Sequence, residues 1–140
     1  MIRQGFSIGK GEWRLRVYYN VRSESDLKEV ADTLVWAGCR QSVVNIVTDL
    51  LAEPNHGYTF TTFSEHLTLM FMSHATSPEQ MYDTIQHELK HATEHISEYY
   101  GVEPKSEEAA YLQGEIARKM FKGAALAVCP KCNNLKHLQL

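Results

Sequence analysis

Ser77-Pro78-Glu79-Gln80-Met81-Tyr82-Asp83-Thr84-Ile85-Gln86-His87-Glu88-Leu89-Lys90-His91 opens the longest regular stretch of this 140-residue chain. Ser77 is a helix cap, Pro78 fits a first turn, and Gln80 stands at the capping-box position. Met81, Ile85, Leu89, Ala92 and Ile96 then recur at helical spacing, and Gly101, followed by Pro104, ends the run. The pattern predicts a helix of about 23 residues, ~34 Å long. Near its middle, residues 87–91 read H-E-x-x-H. Histidines four apart share a helix face, so His87 and His91 are placed to reach one metal ion, with Glu88 beside its open positions.

Downstream, Ser106 to about Ala127 reads as a second helix through Ala110, Leu112, Ile116, Ala117, Met120 and Phe121. The connection from Gly101 to Lys105 is short, which predicts an antiparallel helical hairpin. Upstream, Leu67 to Met72 is a short apolar run and a strand by length. Tyr58 to Phe63 looks extended, and Glu53-Pro54-Asn55-His56-Gly57 is a loop by composition. Ser42 to Leu51 fits a helix through Val43, Ile46, Val47, Leu50 and Leu51, although its β-branched content also suits a strand. Ser23 or Ser25 caps a helix carrying Leu27, Val30, Ala31, Leu34 and Val35, stopped by Gly38. Glu12 to Val21 alternates, with Trp13, Leu15, Val17, Tyr19 and Val21 on one side of a half-buried strand after a Gly-rich start.

An apolar fraction of 44% and a charged fraction of 22% fit one globular domain. Met1 to Gly11 lacks the apolar core of a signal peptide, and no apolar run approaches the ~20 residues of a membrane span. The expectation is a cytoplasmic protein without a membrane partner. Cys39, Cys129 and Cys132 are too few for a disulfide framework. Net charge is −3, unevenly spread. Residues 79–115 are acidic against Lys90 and Lys105, whereas residues 116–140 carry Arg118, Lys119, Lys122, Lys131 and Lys136 and no acid. So sparse a basic tail is a solvated end before it is a nucleic-acid surface. Residues 1–128 are expected to form the domain, and residues 129–140 a tail bearing Cys129-Pro130-Lys131-Cys132, half of a zinc knuckle whose partners by residue type are His137 and Cys39.

A hydrolytic zinc centre takes three protein ligands and keeps one position open. His95 lies ~12 Å of rise from His87 and cannot join both histidines on one ion. The metzincin extension is ruled out, because Glu94 and Ser97 stand where it needs Gly and His. With Glu107 and Glu108 opening the next helix ahead of Ala110-Tyr111-Leu112, residues 77–121 resemble the gluzincin branch of the zincin metallopeptidases, most of all the small single-domain zincins of bacteria and their phages. That resemblance implies an α+β fold, a small twisted mixed sheet packed on helices with the motif helix at its centre. It further implies zinc held by His87, His91 and a downstream Glu, with Glu88 the general base of a peptidase acting on peptide or protein substrates. Glu107 is the choice over Glu108, because Glu107, Ala110, Tyr111 and Gly114 form a face whose small residues permit close approach. Tyr111 replaces the Asp that thermolysin-type enzymes carry four residues after the ligand. The strand Leu67 to Met72 is expected to pair with an extended substrate, and His74 or Tyr111 are candidates for stabilising the oxyanion. The rival reading is a catalytically silent binding or regulatory domain.

Overall fold

The computed structural model describes residues 1–132 and 138–140. Strands β1 (Ile2–Ile8) and β2 (Trp13–Val21) form an antiparallel hairpin. Its turn is built on Gly9, Lys10 and Gly11, all at positive φ, a region glycine enters without a Cβ penalty. Helices α1 (Glu24–Trp36) and α2 (Gln41–Ala52) follow, then β3 (Gly57–Thr62), a short 3-10 turn, and β4 (Leu67–Ser73). Helix α3 (Pro78–Tyr100) carries the motif, α4 (Glu107–Val128) folds back along it, and β5 (Leu138–Gln139) ends the chain. The sheet order is β3-β4-β2-β1-β5, with β2 and β4 parallel, β3 antiparallel to β4, and β5 parallel to β1. This is the mixed α+β architecture expected, with a 23-residue motif helix.

Helices cover both faces of the sheet. Val30 and Leu34 of α1, with Val44, Val47 and Leu51 of α2, pack on Leu67, Leu69 and Phe71. Met81, Ile85, Leu89, Ala92 and Ile96 of α3, with Ile116 and Met120 of α4, pack on Met70, Met72 and alternate residues of β2. Burial on two faces is why Leu67 to Met72 is almost continuously apolar. It also corrects the substrate-pairing expectation: β4 lies between β3 and β2, so neither of its edges is available to a peptide. The outer strands of the sheet are β3 and β5.

Two local patterns depart from expectation. Strand β1 was hidden in what reads as a Gly-rich start, because Gln4 and Gly5 interrupt the apolar positions. In β2, Trp13, Leu15, Val17 and Tyr19 do share one core, but Val21 enters the opposite one. Asn20 adopts φ 60°, and the β2–β4 register shifts between Tyr18 and Val21, so the strand irregularity turns the last side chain over. Ser42 to Leu51 is helical, with Val44, Val47 and Leu51 inward and Ile46 exposed.

Candidate functional site

Helix α3 is fixed at both ends by the residues its sequence offers. The Ser77 hydroxyl accepts from the Gln80 amide at 3.1 Å, and Gly101 closes the other end at φ 67°. Between these caps the apolar stripe clamps the helix to the sheet, which leaves the 87–91–95 stripe at the boundary of β3 and solvent. His87 Nε2 and His91 Nε2 converge to 3.0 Å. Their side chains are 67% and 45% exposed.

Glu88 lies beneath the edge strand β3 and is 2% exposed. The Thr59 hydroxyl donates to Glu88 Oε1 at 2.8 Å. Glu88 Oε2 lies 3.9 Å from His87 Nε2, so the carboxyl bridges the interior and the imidazole pair. Burial pushes this carboxyl above its ordinary value; the Thr59 hydrogen bond and the two histidines pull it down without cancelling that effect. Gly57 makes room for it: a Cβ there would stand 2.6 Å from Glu88 Cγ and 2.7 Å from Oε2. Gly57 and Thr59 are the residues sequence reasoning missed. Their role depends on β3 crossing α3, and the only local signal was a glycine at the start of an extended segment.

His95 is the next residue of the stripe and belongs to a different network. Its Nδ1 is 2.9 Å from the Thr61 hydroxyl, which meets Thr68 at 3.0 Å, and the Trp13 indole donates to Thr68 at 3.0 Å. Burial lowers the pKa of His95, which favours a neutral ring. His66 stacks on Trp13 with ring centroids 4.9 Å apart, while Tyr99 and Tyr100 meet the same indole edge-on. His66 and His95 are thus tied to Trp13, one by stacking and the other through Thr61 and Thr68.

The third-ligand expectation is corrected. Among the described residues, no group of three or more His, Cys, Asp and Glu could hold a metal ion. Glu107 and Glu108 are both exposed in the first turn of α4. A cavity of ≈ 220 Å³ between α3 and α4 is lined by Lys90, Glu94, Ser97, Ser106, Ala110 and Gln113. The antiparallel register thus sets Ala110 and Gln113, rather than Glu107, beside the turn that follows the motif. The face chosen for close approach, through Ala110, Tyr111 and Gly114, is exposed, and α4 buries Ala109, Ile116, Met120 and Gly123 instead. Tyr111 is 76% exposed. His74 Nδ1 is buried without a hydrogen-bond partner near the end of β4. Lys136 and His137 lie outside the described residues.

Comparison with protein-family models, curated proteins and solved structures returns no match. With no match in these comparisons and no complete ligand set among the described residues, assignment to the gluzincins, or to the zincins at large, does not stand. What the chain does bring together is a His pair and a buried carboxyl held by β3.

Proposed function

We propose that the chain is a hydrolase of peptide bonds whose centre is His87, Glu88 and His91, with one zinc ion taken up by the imidazole pair. The observation that carries this reading is the 3.0 Å approach of the two Nε2 atoms with Glu88 Oε2 beside them. Two nitrogens bound to one tetrahedral zinc at about 2.0–2.1 Å stand ~3.3 Å apart, so the pair, 3.0 Å apart and within hydrogen-bond distance of each other, has to open by ~0.3 Å to serve as two ligands, and the described residues supply no third. A bound zinc lowers the pKa of its water and polarises a carbonyl.

The chain's own residues account for the rest. Thr59 holds Oε1 of Glu88 and leaves Oε2 turned to the histidines, where a carboxylate can accept a proton from water and return it to a leaving amine. The open edge of β3 offers unpaired backbone groups to an extended peptide next to the pair.

The test combines metal content with cleavage of fluorescein-labelled casein. Zinc content is expected to be the same in the full chain and in Glu88→Gln, and to fall by one equivalent in His87→Ala/His91→Ala. Cleavage is expected to vanish in Glu88→Gln; cleavage that survives this change sinks the mechanism. The missing third ligand favours a second reading, a zinc-binding domain without hydrolytic activity. Bound zinc with no cleavage by the unaltered chain selects it.

A further inference from the structure

Helices α1 and α2 leave one corner of the sheet face they cover bare. There β2, the third of five strands, turns Arg14 and Arg16 to the same face, level with Leu67 and Leu69 of β4. Both arginines are exposed. The end of α1 and the β3–β4 connection wall this corner into a cavity of ≈ 600 Å³, whose lining includes Arg14, Trp36, Phe60, Thr62, Ser64 and Glu65. That is the size of a small-molecule site. It lies on the opposite face of the sheet from α3 and shares nothing with the His87–Glu88–His91 centre. We propose that this cavity binds a mononucleotide, with the base stacked on Trp36 and the phosphate paired with Arg14.

Trp36 ends α1 and is 59% exposed. The Arg16 guanidinium lies over its ring, 4.8 Å from the centroid. This cation–π contact holds the indole and leaves its other face as a platform for a second ring. Arg14 supplies the charge. Among the described residues neither Arg14 nor Glu65 forms an ion pair, so the guanidinium fork is uncommitted and suits the bidentate contact a phosphate offers. The negative end of α1 is answered within the chain: the carbonyls of Thr33, Val35 and Leu34 accept from the amides of Ala37, Gly38 and Cys39. Spacing selects the ligand. Two residues apart on one strand, Arg14 and Arg16 stand ~7 Å from each other, so a ring on Trp36 and an anion on Arg14 are separated by about that length. A ribose spans it, whereas a carboxylate attached directly to the ring falls short. The hydroxyls of Thr62 and Ser64 are then at hand for the sugar, and the Glu65 carboxylate can accept from its hydroxyls, as acids do in dinucleotide sites.

Isothermal titration of the full chain with AMP tests this. Intrinsic fluorescence runs beside it, because of the two tryptophans Trp13 is buried and Trp36 is exposed. AMP is expected to bind saturably and to quench the Trp36 emission. Adenosine and inorganic phosphate, each carrying half of the ligand, should bind about tenfold more weakly or worse. Arg14→Gln should weaken AMP binding about tenfold and leave adenosine unchanged, whereas Trp36→Leu should weaken both in the calorimeter. Neither side chain is buried, so both variants are expected to keep the parent's circular dichroism. His87→Ala/His91→Ala should bind AMP as the parent does. Absence of saturable AMP binding overturns the proposal. So does AMP binding that Arg14→Gln and Trp36→Leu leave unchanged, or binding that requires a short oligoadenylate in place of AMP.

Discussion

Gly57 and Glu88 are 31 positions apart, yet a side chain added at Gly57 must displace Glu88. An added Cβ at Gly57 would lie 2.6–2.8 Å from three atoms of the Glu88 side chain, closer than van der Waals contact allows. The carboxyl would have to leave Thr59, and with it the direction of Oε2 towards His87. Gly57→Ala is therefore expected to leave zinc bound by the exposed histidines while casein cleavage falls roughly 100-fold, the scale for misplacing a reacting group by about 1 Å. Metal analysis beside the cleavage assay reads both effects, and unchanged cleavage would show that Glu88 does not act from this position. At this scale the sequence was half legible. His87, Glu88 and His91 could be read because i, i+4 spacing is a property of one helix. The housing of Glu88 could not, because Thr59 reaches it from another element, and a choice between Glu107 and Glu108 required the rotation and register of α4, which no periodicity specifies.

The elements announced themselves wherever local chemistry settles them. Ser77 and Gly101 bound α3 as predicted, since a hydroxyl that accepts an end amide and a glycine at positive φ are sufficient signals. The β1 strand and the inversion at Val21 escaped because Gly5 and Asn20 break the alternation that identifies strands. Helix α1 shows how much one cap carries. The Ser23 hydroxyl accepts from the Asp26 amide at 3.1 Å, and Asp26 Oδ2 accepts from the amides of Arg22 and Ser23 at 3.0 and 3.1 Å. Burial alone would raise the Asp26 pKa, but the amides of Ser23 and Arg22, the α-amino group of Met1 and the Ser23 hydroxyl together outweigh it and hold the carboxyl below its ordinary value. A depressed folded pKa stabilises the fold above the unfolded value of ~3.9, and that stabilisation is lost as pH falls through the folded value. Asp26→Ala should therefore cost about 1–2 kcal/mol at neutral pH, and the difference should shrink towards acid pH. Urea unfolding of both proteins across this range checks it; a difference independent of pH would assign the cost to packing alone.

For the whole molecule, the decisive fact is that one sheet is covered twice, and α4 must come close enough to seal the second face. Gly123 is where it does so. A Cβ at Gly123 would stand 2.5 Å from Tyr19 Cε2 and 2.6 Å from Gln4 Oε1. Tyr19 is fully buried, its hydroxyl donates to Gln4 Oε1 at 2.8 Å, and Gln4 Nε2 donates to the Lys119 carbonyl at 2.9 Å. The small residue and the buried polar pair form one joint between α4 and the β1–β2 hairpin. Two effects compete in Gly123→Ala. Helix propensity favours alanine by about 1 kcal/mol. Overpacking costs about 1–3 kcal/mol, and prising apart a buried hydrogen-bonded pair adds a further ~1–3 kcal/mol. The second effect wins, because neither a fully buried ring nor a bonded amide can yield cheaply, and the protein should be destabilised by roughly 1–5 kcal/mol. Gly114, on the same helix, has nothing within 4 Å of the added carbon, so Gly114→Ala should gain about 0.5–1 kcal/mol from propensity alone. Denaturant unfolding of the two variants beside the parent should move the midpoints in opposite directions. A common shift would mean that α4 does not seat against Tyr19 and Gln4 as described.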